Sequence, residues 1–466
     1  MPPAPHSRDA AIAIAQGAIE DGTFFDALAR LVAIPSDSTA ADAAPHLIRY
    51  LDAITVKLDV LGFSSEQVSD PETGMPFLIA ERIEDPELLT ILSYGHGDTV
   101  PGMEGLWDAG RDPWQLTEAG GLWYGRGVAD NKGQHLINLS ALAAVISARG
   151  GRSGLNIKLI IEMGEEAGSP GLARICGRFR DRLAADLLLA SDGPRLSADR
   201  PTLFLGARGG YTVKLGIRRR IGGRHSGNFG GAIANPGVEL ANALATIVDA
   251  NGHLKIEAWK PGQIPEAARA ALKGLTPAGG EVDADWGEPG LTPAERVHAW
   301  SSAEILAFTC GTPEQPVNAI PPDAFAWLQL RYVTGVDPEG ILPALRDHLD
   351  AHGFAHVELE PTGAAFRASQ TPADHPAVQV AAGSLALTNG QAPVVLPSLG
   401  GSLPNDIFTD ILGLPTIWVP HSYPGCSQHA PNEHLPADLI HDALAVMTGL
   451  VWNLGATEKS SLLPAY

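Results

Sequence analysis

The chain has 466 residues, enough for two domains and a large core. Hydrophobic residues make up 45% and charged residues 18%, the balance of a folded globular enzyme rather than a disordered chain. With 32 basic and 53 acidic residues the formal charge is −21, which repels phosphate backbones and excludes nucleic acid as an expected partner.

The N-terminal stretch MPPAPHSRDAAIAIAQGAIEDG has no uninterrupted apolar core of signal-peptide length, and no stretch is long and apolar enough to span a bilayer. No membrane partner is expected. Cys176, Cys310 and Cys426 lie far apart without a CxxC pair, which fits buried apolar roles in a reducing compartment, so the expected location is cytoplasmic. The pattern from Asp9 to Leu61 predicts a helix, a turn near Pro35 and a second helix, AAPHLIRYLDAITVKLDVLG, stopping at Gly62. Three β-type runs follow at Leu88–Tyr94, Leu155–Glu162 and Ala185–Ser191, with a helix, QHLINLSALAAVISARG, between the first two. Strands alternating with helices predict an α/β sheet covered on both faces.

From Arg208 the texture changes. YTVKLGIRRR alternates as a half-exposed strand, and a Gly-, Pro- and Ala-rich region without periodicity runs to about Glu295. FAWLQLRYV reads as a strand, LPALRDHLDAHG as a helix and HVELEPT as a further strand, which together predict an inserted α+β domain. From His375 the α/β texture returns with helix AVQVAAGSLALTNG, strand LPTIWVP and closing helix ADLIHDALAVMTGLVWNLG.

The chemistry-bearing residues stand at the ends of predicted strands, where an open α/β sheet places its ligand crevice. In YGHGDTVPG, His96 offers an imidazole to a metal, and Asp98 is spaced to take the ring's other N–H. That motif is weak alone. In YGRGVADNKGQH, Asp130 reads alone first as a helix cap, with Gly127 and Gly133 allowing tight turns. In IIEMGEEAGSPG, Glu165 and Glu166 suit either a surface loop or a site in which one binds metal and the other takes a proton from water. Asp192 ends the strand of LLLASDGP, and His429 lies in SQHAPNEHL. His96, Asp130, Glu166, Asp192 and His429 together supply nitrogen and oxygen ligands without sulfur. Two ions sharing one carboxylate would each receive three of them, a set suited to zinc, manganese or cobalt.

These motifs, in this order over nearly the whole chain, resemble the metallopeptidase family of carboxypeptidase G, aminoacylase, succinyl-diaminopimelate desuccinylase and carnosinase-like dipeptidases. The resemblance implies an α/β catalytic domain, a mixed sheet between helices, formed by 1–206 and 370–466, with an inserted α+β lid and dimerisation domain at 207–369. It implies two divalent ions, expected to be Zn2+ with Mn2+ or Co2+ as alternatives. His96 and Asp192 would hold one, Glu166 and His429 the other, and Asp130 both. Asp98 would orient His96, Glu165 would be the general base, and the Asp130–Asn131 peptide would be cis.

RHSGNFGG resembles the family's lid motif, whose histidine, here His225, reaches the partner subunit's active site and polarises the scissile carbonyl; this implies a homodimer through the inserted domain. LGGSLPNDIF resembles the segment that contacts the substrate carboxylate, which implies Gly401 and Ser402. NAIPPDAFAWLQLRYV resembles the strand whose arginine binds that carboxylate, here Arg331, with Asn318 nearby. The chain departs from the family at Gly223 and Arg224. Arg218, Arg219, Arg220 and Arg224 read as a solvated basic face, or else as a site for a further anionic group. The expected substrate is a small peptide with a free carboxylate, cleaved as by a dipeptidase or carboxypeptidase. An N-acyl-amino-acid deacylase is the alternative, and a non-catalytic binding scaffold the remote one.

Overall fold

In the computed structural model, which describes residues 6–277 and 282–462, the first helix, α1 (Arg8–Glu20), begins where a cap is available. The Ser7 hydroxyl accepts the Ala10 N–H at 3.1 Å. The predicted single helix breaks at Asp21–Gly22, because Gly22 has φ +80° and the Asp21 carboxylate takes the Thr23 N–H at 2.9 Å. α2 (Thr23–Val32) and α3 (Ala43–Val60) follow. Two strands the periodicity did not signal come next, β1 (Ser64–Ser69) and β2 (Pro76–Arg82), before β3 (Thr90–His96), α4 (Lys132–Ala148), β4 (Asn156–Glu162), α5 (Leu172–Arg178), β5 (Leu187–Ala190) and β6 (Thr202–Phe204).

The chain then enters a second unit, with β7 (Gly209–Arg218), α6 (Pro236–Ile247), β8 (Ser302–Thr309), β9 (Asp323–Tyr332), α7 (Ile341–Ala351) and β10 (Glu358–Phe366). Helix α6 lies in the stretch that shows no periodicity; its start is built by Asn235, whose side chain caps the Gly237 N–H at 2.9 Å, and by Pro236 in the first turn. Residues 278–281 of that stretch lie outside the described residues. The return supplies α8 (Pro376–Asn389), β11 (Val394–Leu396), β12 (Thr416–Trp418) and α9 (Ala437–Leu454).

The first unit comprises 1–206, 370–397 and 404–466, and the second 207–369 and 398–403. In the first, eight strands form a mixed sheet in the order β1-β2-β4-β3-β5-β12-β6-β11. Neighbours β4, β3, β5 and β12 run parallel, whereas β1 and β2 are antiparallel to their neighbours. Alternation divides each central strand between two buried faces. Ile157, Leu159, Ile161, Leu187 and Leu189 join the core beneath α1, α3, α4 and α9, while Tyr94, Phe204, Phe408 and Trp418 form an aromatic cluster on the other side. This is the expected α/β fold with its sheet between helices.

In the second unit β8-β9-β7-β10 form an antiparallel sheet. β9 alternates strictly between half-buried and buried residues, and Leu328 and Leu330 pack with Leu244, Ile247 and Leu345 from α6 and α7. Residues 398–403, expected with the catalytic domain, group with this unit, where Ala207 bridges Leu399. Among the described residues no helix is long and apolar enough to cross a membrane.

Candidate metal centre

Strands β4, β3 and β5 stand side by side and parallel, so the loops after their C-terminal ends converge. His96 is the last residue of β3 and is fully buried. A Cβ on the next residue, Gly97, would collide with the Tyr50 ring and stand 2.7 Å from Met163 Sδ, so glycine is required there. This lets Asp98 fold back beneath the imidazole. His96 Nδ1 lies 3.1 Å from the Asp98 carbonyl oxygen and 3.4 Å from its Oδ1. The Asp98 carboxylate also accepts the N–H groups of Glu165 and Glu166, each at 3.1 Å. One buried carboxylate thus orients the histidine and fixes the turn carrying both glutamates.

Asp130 and His429 come from loops joined by a small ladder, in which His434–Pro436 pairs with Leu122–Tyr124. Glu433, fully buried, completes the join. Its Oε2 accepts Arg126 Nη1 at 2.8 Å and the Gly127 N–H at 3.0 Å, and its Oε1 accepts the Ala129 and Asp130 N–H groups at 2.9 and 3.0 Å. Beyond Asp130 the chain turns into α4, where a Cβ on Gly133 would collide with the Val128 carbonyl. The Asp130–Asn131 peptide is cis, as the family resemblance implied. Asn131 donates to the Ser191 carbonyl at 2.8 Å, and its Oδ1 lies 3.1 Å from Nδ1 of His135, whose Nε2 lies 2.6 Å from the Tyr50 hydroxyl.

The resulting cluster has two halves that share Asp130. His96, Asp130 and Asp192 present ligand atoms within 4.8 Å of one another, as do Asp130, Glu166 and His429. His96 Nε2 lies 3.1 Å from Asp130 Oδ1 and 3.5 Å from Asp192 Oδ2. His429 Nε2 lies 3.1 Å from both Asp130 Oδ2 and Glu166 Oε2. Glu165 adjoins Glu166 in the turn that follows β4.

Charge in the cluster is poorly balanced by the protein itself. Burial raises Glu165 well above the usual carboxylate range; His96 opposes this, while Asp192, Glu166 and Asp130 add to it. Burial likewise pushes Asp192 up to about 7 against the pull of His96, and raises Glu166 against its bond from His429. Bonds to Asp130 and Glu166 push His429 up to about 10. The buried Asp192 Oδ2 and Glu166 Oε1 have no hydrogen-bond partner among the described residues. Orphaned carboxylate oxygens facing imidazole nitrogens, with no sulfur donor, fit divalent cations of the zinc, manganese or cobalt type.

The other singled-out residues lie in the second unit. His225 and Asn318 come together on a short ladder in which Arg224 pairs with Ile320 and His225 with Ala319, and the Asn318 carbonyl accepts the Ser226 N–H at 2.9 Å. Asn318 was expected near Arg331 but is set against the His225 turn instead. Arg331 lies near the far end of β9, eight residues beyond Asp323 and so about 26 Å along an extended strand. Arg331 Nη1 donates to Ser402 Oγ at 2.5 Å, and Gly401 is exposed beside it. The basic residues are largely engaged. Arg218 pairs with Glu358, Arg219 with Glu239, and Arg220 and Arg224 bond backbone carbonyls.

Sequence reasoning missed Glu433, although it stands in the segment that drew attention to His429. A lone glutamate in a Pro-containing loop gives no sign that it will be buried beneath four donors. It also missed the buried Lys132, whose ammonium donates to the Leu31 and Ile34 carbonyls at 3.2 and 2.7 Å and ties α4 to the end of α2.

Two ligand groups divided around one aspartate, with His96, Glu166 and Asp192 carried past the ends of parallel strands, define a candidate dinuclear metal centre. The chain belongs to peptidase family M20/M25/M40, whose sequence profile it matches over residues 92–453. It is 34% identical over 248 residues to a Beta-Ala-His dipeptidase of Mus musculus, a match covering 50% of this chain and 50% of that protein. It is 29% identical over 367 residues to a cysteinylglycine-S-conjugate dipeptidase of Corynebacterium striatum, covering 75% and 77%. Its fold is similar to that of the di-peptidase Dug1p from Saccharomyces cerevisiae, with a TM-score of 0.80 at 22% identity over 98% of this chain and 100% of that one.

Proposed function

We propose that this protein is a metal-dependent, dipeptidase-like hydrolase that cleaves the amide bond of a small substrate bearing a free carboxylate. The observation that carries this reading is the pair of ligand groups sharing Asp130, with Glu165 fixed beside them by Asp98. The dipeptidase names of the relatives support it. His96 and Asp192 would hold one ion, Glu166 and His429 the other, and Asp130 both. When bound, such ions polarise a carbonyl and ease the ionisation of water. Zinc is the proposed metal, with manganese or cobalt as the other ions this donor set accepts.

Glu165 takes the proton of the attacking water and returns it to the leaving nitrogen. Its burial supports this role, since a carboxylate with raised proton affinity is a stronger base and is later able to donate. Asp98 keeps His96 in one ring orientation and holds the Glu165 amide, so the base is positioned before substrate arrives. Arg331, Ser402 and Gly401 bind the substrate carboxylate, a role supported by the bond between the Arg331 guanidinium and the Ser402 hydroxyl. His225 serves the active site of a partner copy by stabilising the oxyanion, with Asn318 beside it.

That assignment needs a homodimer through the second unit. Edge strand β8 supports one: it exposes Ile305, Leu306 and Phe308 along an edge that no strand among the described residues pairs, a surface suited to covering by another chain. A cytoplasmic location is part of the proposal and is supported by three free cysteines. The test is metal analysis of the purified protein followed by a screen of dipeptides against N-acyl amino acids under each metal. The proposal expects dipeptide hydrolysis with bound metal. Turnover of N-acyl amino acids alone would select the deacylase, and metal-free protein without turnover would leave only a binding scaffold.

A further inference from the structure

Arg208, just before β7, is only 9% exposed and grips the loop 399–402 at several points. Its N–H donates to the Leu399 carbonyl at 3.4 Å, and its Nε to the Gly400 carbonyl at 2.7 Å. Its own carbonyl accepts the Ser402 hydroxyl at 2.7 Å. That hydroxyl has its other side turned to Arg331, accepting Nη1 at 2.5 Å, and Gln329 Oε1 holds Arg331 Nε at 3.0 Å. One serine thus joins two arginines, and both have their Nε groups already fixed.

The pair lacks an acid. Neither guanidinium forms an ion pair with a carboxylate among the described residues, and the terminal nitrogens of Arg208 have no hydrogen-bond partner among them. Glu304 exerts a field on Arg208 without reaching ion-pair distance. Burial, then the neighbouring charge of Arg331, pushes Arg208 down to about 10, so it remains a cation at neutral pH while being repelled by its neighbour. Packed against the start of this loop, the buried His298 donates its Nδ1–H to the Ser398 carbonyl at 2.9 Å, while its Nε2 has no partner among the described residues. Burial holds this ring at about 4, so it is neutral and adds no further charge. The Ser402 hydroxyl ties the Arg331 guanidinium to the Arg208 backbone, and the two neighbouring cations, partly buried and without a carboxylate, have an electrostatic demand that one planar monoanion would meet.

We propose that Arg208 is a second substrate-binding guanidinium, which with Arg331 and Ser402 forms a two-arginine site for the substrate's carboxylate. The inference rests on Arg331 as the carboxylate-binding residue and adds the group that makes the site discriminate acids from neutral peptide ends. With Nε spent on Gly400, the Arg208 terminal nitrogens are the donors left for the anion. Lysine has a single nitrogen and cannot serve both tasks. Glutamine is the sharper variant, since its amide can still donate to Gly400 while losing the charge.

The experiment measures binding of β-alanyl-histidine and of its C-terminal amide by calorimetry, in metal-loaded Glu165→Gln protein so that binding is read without turnover. In that background the acid should bind at least about tenfold more tightly than the amide. Adding Arg208→Gln should remove about tenfold or more of the acid's affinity and leave the amide within about twofold. Arg208→Lys should show an intermediate loss for the acid. The ratio within each variant guards against loop damage, which would weaken both ligands alike. If Arg208→Gln keeps the acid preference while Arg331→Gln abolishes it, Arg208 is not a ligand and the role of Arg331 stands. If both ligands fall together, Arg208 is a loop anchor only and the proposal fails. If no variant prefers the acid, the carboxylate site is wrong and the proposal falls with it.

Discussion

Glu433 touches no predicted ligand atom, yet its removal should damage the centre and the fold together. The carboxylate is fully buried, takes Arg126 and three backbone N–H groups, and lies between the His429 and Asp130 loops. Glu433→Ala leaves Arg126, 1% exposed, as a buried cation whose Nε and Nη2 already lack partners among the described residues. Removing one partner of a buried ion pair costs about 3–5 kcal/mol, because the surviving charge stays desolvated. The Asp130 N–H also loses its acceptor, and loosening a ligand through its support lowers metal affinity by about 10–100-fold. Denaturant unfolding of metal-stripped protein measures the first effect, and metal titration the second. Glu433→Gln should fall between, since its oxygen can still take the Ala129 and Asp130 N–H groups while its amide faces two donors. The double variant Arg126→Met with Glu433→Ala should be more stable than Glu433→Ala alone, because the stranded charge is gone. The reasoning is refuted if Glu433→Ala unfolds within about 1 kcal/mol of the parent, given the expected penalty.

Three further outcomes follow from the same geometry. Asp98→Asn replaces one acceptor oxygen with a donor facing the Glu165 or Glu166 N–H, and should lower metal affinity or activity by about 10–100-fold in a metal titration or rate assay. Gly97→Ala drives a methyl into the Tyr50 ring and should destabilise the first unit by about 1–3 kcal/mol in a denaturant melt. Burial and the neighbouring charges of His96 and Lys132 hold His135 down to about 3, against an ordinary value of 6.5. The folded state therefore keeps this ring neutral where the unfolded chain is protonated. Its contribution is fully present above pH 6.5 and is lost as pH falls toward about 3, at up to about 1.4 kcal/mol per pH unit. A His135→Gln variant should show a shallower loss of stability across that window.

His96, Glu166 and Asp192 stood out because each follows an apolar run, and a position after a buried parallel strand leaves such polar residues few alternatives. Buried strands β3, β4 and β5 showed as continuous hydrophobic runs for the same reason. Asp130 and His429, by contrast, lie on loops and drew their expected role from the family resemblance. The polar β1, SSEQVS, is an edge strand exposed along most of its length and carries little pattern of its own. Helix α6 hides among glycines and prolines although Asn235 and Pro236 mark its start. Glu433 and Arg208 were invisible for a different reason, since their importance comes from backbone groups that folding brings around them. Asn318 shows the converse error: strand β9 separates it from Arg331, and proximity in a motif did not become proximity in space.

The most direct test of the central claim is Glu165→Ala, with metal content and dipeptide turnover measured on the same preparation. Glu165 belongs to neither ligand group, so the variant should keep the parent's metal content and melting behaviour. Turnover should fall by about 100-fold or more, as expected when a positioned general base is removed. A variant that retains its metal and still hydrolyses dipeptides at near the parent rate would contradict the mechanism.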